Sequence, residues 1–338
     1  MTSTPLFPTR SVRGLTMTEL GLGAAQLGNL YRETTDREAA DTVQVAWDSG
    51  IRMFDTAPHY GLGLSEKRLG ALLRDHPRDE YLLSTKVGRL LEPTPESVSA
   101  QDDGGFAVPA WARRELDYSR DGVLRSIEES LERLGTDRID IAYLHDPDVS
   151  GQFDLACSEG IGALIELRDQ GVLRAVGGGM NDAAPLAELV RRADVDLVMC
   201  AGRLTLLDQS ALDDLAPLAL ERGVGIVAAG VYNAGLLSRP WPPSDAMYDY
   251  EPASVELIER ARRIATHCES HGVTLPDVAI AYSLSHTAVC CAVIGARGQS
   301  QTQSTVDRYN TQVPPELWDD LVADELIPPF ATHSKGRS

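Results

Sequence analysis

Along the chain, short apolar runs alternate with longer stretches whose apolar residues recur at helical spacing. The runs fall at 16–22, 51–55, 81–87, 139–145, 173–176, 195–200, 224–229 and 289–294. Each is too short for a helix and rich in Val, Ile, Leu or Met, the pattern of strands buried on both faces of a parallel sheet. The intervening segments predict helices. Thr35 and Asp36 open one that carries Ala39, Val43 and Ala46 on one face and stops at Gly50. Ser65 is placed to N-cap a second. Further helices are expected at 121–134, 161–170, 184–192, 210–222, 254–270 and 275–286, with a last, polar one from about 299.

Eight strand–helix alternations favour a closed (β/α)8 TIM barrel over an open doubly wound sheet. No linker-like stretch divides the chain, so residues 1–338 are expected to form a single domain. No G-x-G-x-x-G occurs; Gly21-Leu-Gly23 and Gly61-Leu-Gly63 lack the third glycine. Two segments, 89–118 and 239–252, fit neither period and are expected as long loops over the mouth. The glycines at 177–179 are expected in a loop after the fifth strand.

Composition narrows the function. A net charge of −19 argues against nucleic acid and anionic membranes as partners. No apolar run approaches the roughly 18 residues of a membrane span. The first residues lack the basic and apolar regions of a signal peptide. Five scattered cysteines without C-x-x-C spacing point to a reduced, cytoplasmic protein, with Cys200, Cys290 and Cys291 in the core.

Active sites of these barrels lie at the C-terminal ends of the strands. That rim receives Asp55 after strand 2, Lys86 at the end of strand 3 and His145 at the end of strand 4, with Tyr60 in the loop after strand 2. A phenol titrates near 10, and a neighbouring ammonium lowers that value. Lys86 is therefore expected to depress the pKa of Tyr60 while Asp55 holds Lys86 charged. His145 can donate to a substrate oxygen, and Tyr60 can act as general acid in reduction and general base in oxidation. These residues bring neither a hydride nor a metal, so an organic redox cofactor is implied.

The segments Phe54-Asp-Thr-Ala-Pro-His-Tyr-Gly, Ser84-Thr-Lys-Val-Gly, Leu131-Glu-Arg-Leu-Gly-Thr-Asp-Arg-Ile-Asp and Leu144-His-Asp-Pro-Asp closely resemble the aldo-keto reductases, over about residues 15–310. Those are (β/α)8 barrels that use NADP(H) or NAD(H). The resemblance assigns Asp55, Tyr60, Lys86 and His145 to the catalytic tetrad. Tyr118-Ser-Arg-Asp-Gly, Ala201-Gly-Arg-Leu-Thr-Leu-Leu-Asp-Gln and Tyr232-Asn-Ala-Gly-Leu-Leu are more narrowly similar to a branch of sugar 1-dehydrogenases, which oxidise L-fucose or D-threo-aldoses to lactones. Pyridoxal dehydrogenases lie near that branch.

The resemblance also implies a cofactor site. Asn181 matches the position that holds the carboxamide of nicotinamide. Gly230, Val231, Tyr232, Asn233, Gly235 and Leu236 match the loop around the pyrophosphate. Gly295, Arg297 and Gln301 match the surroundings of the adenosine, and Arg297 is the candidate for a 2′-phosphate. The chain departs from the family at Ala229 or Gly230, where an aromatic often stacks on nicotinamide, and at Thr305, where an Asn often contacts adenine.

The two long segments carry Phe106, Trp111, Trp241, Tyr248 and Tyr250 among Arg113, Arg114 and Asp245, a mixture that suits a small polar carbonyl or sugar. His59, Trp111 and Trp241 are the substrate-binding candidates. The expected activity is oxidation of an aldose at C1 by a monomer or small homo-oligomer. A general aldehyde or ketone reductase, a pyridoxal dehydrogenase and a non-catalytic cofactor-binding regulatory barrel are the alternatives. A Schiff-base aldolase would need a neutral Lys86, which Asp55 opposes. His267 and His271 have a zinc-compatible spacing but no following glutamate, and no metal is expected.

Overall fold

The computed structural model describes residues 7–94, 96, 99–249 and 251–329; the N-terminal residues and Tyr250 lie outside them. Eight strands close into a barrel: β1 Leu20–Gly23, β2 Met53–Asp55, β3 Leu82–Val87, β4 Ile141–His145, β5 Ala175–Met180, β6 Leu197–Ala201, β7 Gly225–Ala229 and β8 Val289–Gly295. Every neighbouring pair is parallel, and β8 closes on β1. Register aligns the strand ends that matter: Asp55 pairs with Ser84, Lys86 with Tyr143 and His145 with Gly179.

Local sequence explains the surrounding helices. The helix α1, Asp36–Asp48, begins in a capping box between Thr35 and Glu38 and buries Ala39, Val43 and Ala46. The next, α2, is Leu64–Leu73, and its N-cap is Gly63 at φ 83°, not Ser65. Ser65 lies inside the helix, fully buried, and its hydroxyl donates to the carbonyl of Ala24. The ring continues with α3 Arg120–Leu134, α4 Ile161–Asp169, α5 Ala183–Arg192, α6 Leu215–Arg222, α7 Val255–Ser270, α8 Leu275–Ser283, α9 Gly298–Asn310 and α10 Pro315–Ala323. No sequence signal had marked α10. It packs on α7, where His267 meets Asp324 at 2.8 Å and His271 meets Asp320 at 2.7 Å. The two histidines thus serve separate carboxylates. No group of three or more metal-ligating side chains forms among the described residues.

Three expectations need correction. The run at 16–22 is two strands. Thr9–Val12 and Leu15–Thr18 form an antiparallel hairpin, and β1 begins only after Glu19. Leu15 and Met17 of that hairpin join Met53, Ile141, Tyr143, Leu197 and Cys291 in the barrel interior, so the N-terminal end is plugged. The segment 89–118 also contains a hairpin, Arg89–Pro93 against Ala112–Leu116. Finally, Gly177 to Gly179 are part of β5 itself. A Cβ on Gly177 would sit 1.6 Å from the carbonyl oxygen of Leu197, so only glycine lets β6 approach there.

All five cysteines are buried and free. Among the described residues no helix is long and apolar enough to cross a membrane.

Candidate active site

The short strand β2 ends in Asp55, which is buried under the loop that follows. One carboxylate oxygen accepts from Ser84 Oγ at 2.7 Å and the other from Lys86 Nζ at 2.6 Å. Lys86 is equally buried. An ammonium has three hydrogens to give, and Lys86 has three acceptors: Asp55, the carbonyl of Thr56 at 3.1 Å and Tyr60 Oη at 3.0 Å. Burial alone would pull its pKa down, but Asp55 and Tyr60 outweigh that and hold it above the ordinary lysine value. A charged Lys86 is no nucleophile, which removes the aldolase reading.

For Tyr60 the balance differs from the sequence expectation. Burial raises its pKa above the usual phenol value, and the pull of Lys86 offsets only part of that. Tyr60 therefore stands protonated, beside a cation that stabilises the phenolate whenever it forms.

His145 closes β4, with its ring 5.9 Å from that of Tyr60 at 89°. Its carbonyl accepts from Tyr118 Oη at 2.5 Å, which fixes the strand end. Burial, followed by the charges of Arg89 and Lys86, keeps its pKa well below the ordinary value, so the imidazole is neutral. Nδ1 is buried without a partner, and Nε2 lies 3.5 Å from Asp146 Oδ2. Asp146 in turn pairs with Arg89 at 2.6 Å. Sequence reasoning missed this pair, although opposite charges beside two adjacent strand ends were a visible signal.

His59 and Trp111 join the site. The His59 ring stands 5.5 Å from that of His145 and 5.2 Å from that of Phe106. Trp111 and Tyr60 pack on a small apolar cluster of Leu62, Leu91, Phe106, Val108 and Ala112 beneath the 89–116 hairpin. Trp241 does not share these contacts: it is 52 % exposed, and its ring faces the Arg262 guanidinium of α7.

The cofactor candidates occupy the other half of the rim. Asn181 is exposed just beyond β5. After β7, Gly230 adopts φ 60°, and a Cβ there would meet Gly202 N at 3.1 Å. Asn233 Nδ2 donates to the carbonyl of Gly202, while its Oδ1 is buried without a partner. Val231 and Leu236 turn their side chains into the core, leaving main chain to face a ligand. Tyr232 Oη accepts from Arg308 at 3.4 Å, and Gly235 takes φ 97°. After β8, a Cβ on Gly295 would sit 2.5 Å from Gln26, whose Oε1 is also buried and unpartnered. Arg297 donates its backbone N–H to Gln301 Oε1 and its guanidinium to the carbonyl of Leu30. Thr305 spends its hydroxyl on the carbonyl of Gln301. Orphaned amide oxygens, bare glycine backbone and the N-terminus of α9 suit an amide-bearing, phosphate-linked ligand such as a nicotinamide dinucleotide.

The profile of the Aldo/keto reductase family matches residues 19–323. The chain is 46% identical to a D-threo-aldose 1-dehydrogenase of Pseudomonas sp. over 323 residues, 95% of this chain and 98% of that protein. It is 38% identical to the pyridoxal 4-dehydrogenase of Microbacterium luteolum, covering 93% and 96%. It is 33% identical to the L-galactose dehydrogenase of Arabidopsis thaliana, covering 87% and 84%. A glycerol dehydrogenase from Gluconobacter oxydans shares the fold at TM-score 0.74 and 22% identity, covering 96% and 99%.

Proposed function

Since the chain belongs to the aldo/keto reductase family, and so to the nicotinamide-dependent oxidoreductases, we propose that it oxidises an aldose at C1 to the lactone, with Asp55, Tyr60, Lys86 and His145 as its catalytic residues. The observation that carries the chemistry is the Lys86 ammonium, whose three hydrogens go to Asp55, the Thr56 carbonyl and Tyr60 Oη. The substrate class follows the 46% identity to the D-threo-aldose 1-dehydrogenase.

A nicotinamide held at this rim would supply the hydride chemistry, as acceptor in oxidation and donor in reduction. The rest is the work of this chain. Tyr60 removes the proton of the C1 hydroxyl in oxidation and gives it back in reduction. Lys86 stabilises the phenolate, the base in oxidation and the form left when Tyr60 gives its proton in reduction, and Asp55 keeps Lys86 charged and aimed. The neutral imidazole of His145 has one N–H to give to the reacting oxygen, where charge develops. Asn181, the 230–236 loop and Gly295, Arg297 and Gln301 are the residues placed to hold the cofactor.

A pyridoxal dehydrogenase is the second reading, favoured by the 38% identity to such an enzyme. A screen of aldoses and pyridoxal with NAD and with NADP, followed by absorbance of the reduced cofactor, separates the two. Lactone formation from an aldose is expected. Activity on pyridoxal alone, or only on apolar aldehydes, would overturn the sugar assignment. Removing part of 100–112 should raise KM for the sugar far more than for the cofactor.

A further inference from the structure

A second constellation lies one ring away from the tetrad and is built around His59. Arg114, on the returning strand of the 89–116 hairpin, donates from Nε to His59 Nδ1 at 2.5 Å and from Nη2 to the carbonyl of His59 at 3.0 Å. The same guanidinium is braced by Asp102, with Nη1 to Oδ1 at 2.6 Å and Nη2 to Oδ2 at 2.9 Å. Both partners are withdrawn from water, the Arg114 side chain at 12% exposure and Asp102 at 2%. The loop closes this tightly because residue 104 is glycine: a Cβ there would lie 2.7 Å from the guanidinium carbon. The rings of Phe106 and His59 meet at 89°, and the Phe106 ring also lies 5.8 Å from the Arg114 guanidinium.

The chemistry of the pair leaves His59 no choice of tautomer. A guanidinium only donates and keeps its protons. Nδ1 must therefore offer a lone pair, and a neutral imidazole with a bare Nδ1 carries its hydrogen on Nε2. Burial and the cations of Arg89, Arg114 and Lys86 push the pKa of His59 down to about 2, so the doubly protonated ring is not formed at neutral pH. Nε2 has no hydrogen-bond partner among the described residues, and it is not one of the atoms sealed from solvent. The ring that carries it stands 5.5 Å from His145 and 6.0 Å from Tyr60.

We propose that Arg114, braced by Asp102, is a positioning residue that fixes His59 as an Nε2–H donor, and that this donor recognises the hydroxyl on the carbon next to the reacting one. The proposal rests on the aldose reading of the same site. Oxygens on neighbouring carbons lie within a hydrogen bond of each other, so an oxygen held between Tyr60 and His145 brings the next one beside His59. A substrate without that hydroxyl leaves the donor unpaired in a half-buried pocket, which is how a polar site rejects a deoxy analogue. The 89–116 hairpin thus acts on specificity through a side chain of the loop after β2.

Two measurements test this. In the first, kcat/KM is compared for an aldose and its 2-deoxy analogue. The native protein should prefer the hydroxylated sugar about tenfold to a hundredfold. His59→Leu and Arg114→Met should each bring that ratio close to one, with the dissociation constant of the cofactor unchanged in Arg114→Met. His59→Gln, whose amide N–H reaches a similar point, should restore part of the preference. A hairpin serving only as a lid would raise KM for both sugars alike in Arg114→Met and leave the ratio intact, and that result overturns the proposal. The second measurement is nitrogen NMR of the labelled native protein, which reads the tautomer of His59 without any turnover. An unprotonated Nδ1 with a protonated Nε2 is expected, changing to a mixture in Arg114→Met. A protonated Nδ1 in the native protein overturns the positioning role whatever the substrate proves to be. The expected tautomer in a protein inactive on every aldose would sustain the Arg114–His59 pair and overturn the sugar assignment alone.

Discussion

Lys86 donates to Tyr60 across 3.0 Å, yet the phenol stays above its ordinary pKa because burial outweighs the cation. With Tyr60 in the proposed role, this relationship sets the pH behaviour of the reaction. Oxidation would then require Tyr60 to take a proton, so its rate should climb through the alkaline range. Lys86→Met removes the neighbour that pulls the phenol down most, and the alkaline limb should move to still higher pH. A pH–rate profile that does not move would dissociate the two residues.

Tyr60→Phe deletes only the hydroxyl. Turnover should fall by about a hundredfold or more, while equilibrium titration finds the cofactor bound as before. Near-normal turnover would take Tyr60 out of the proton transfer.

Two histidines of the site, His145 buried and His59 half-buried, predict a loss of stability in acid. His59 and His145 are both neutral when folded, with pKa values pulled far below their unfolded value near 6.5. Below that pH the unfolded chain binds protons that the native state does not, so stability falls as pH falls, by about 1.4 kcal/mol per unit for each group. In His59→Asn one such contribution is gone. Urea midpoints measured from about pH 6 to about pH 5 should decline less steeply in the variant. Equal slopes would mean that His59 titrates alike in both states.

Gly177→Ala tests the close approach of β5 and β6. The added Cβ would come 1.6 Å from the Leu197 carbonyl, and backbone must move to admit it. A loss of more than about 4 kcal/mol in chemical unfolding is expected. Gly179→Ala, where the nearest atom is 3.5 Å away, is the comparison. Similar stabilities in the two variants would contradict the packing described.

Arg297→Ala probes the cofactor. The guanidinium already holds the carbonyl of Leu30 through Nη2 and its Nε is sealed, which leaves Nη1 as the donor to meet a 2′-phosphate. Binding of NADP should weaken about tenfold more than that of NAD. An equal loss for both would assign the side chain to bracing Leu30 alone.

Much of this was legible in the sequence, and the parts that were not share a cause. Met53–Asp55 and Ile141–His145 end in polar residues and Lys86 is next to last in Leu82–Val87, so the order of these mainly apolar runs puts three of the four proposed catalytic residues at one rim before any coordinates. The 89–116 hairpin escaped because it is a two-stranded ribbon with one polar face, Arg113 and Glu115 among its residues, and it lacks the run that marks a barrel strand. Gly177 to Gly179 looked like a loop because the carbonyl that demands glycine belongs to another strand. The net pKa of Tyr60 lies above the expectation for the same reason: Lys86 pulls it down as the motif implies, but burial, a property of the whole fold, outweighs that pull. Trp241 was grouped with the substrate residues by composition, and its partner is on α7.

The plug of Leu15 and Met17 makes the barrel a cup, closed at its N-terminal end. A substrate that enters from the open rim meets the His59 ring and the 89–116 hairpin beside Tyr60, and its product leaves by the same rim. The contacts that recognise a substrate on arrival therefore also delay the product on departure. Grip and release are set by the same few side chains, so a mutation that tightens one slows the other.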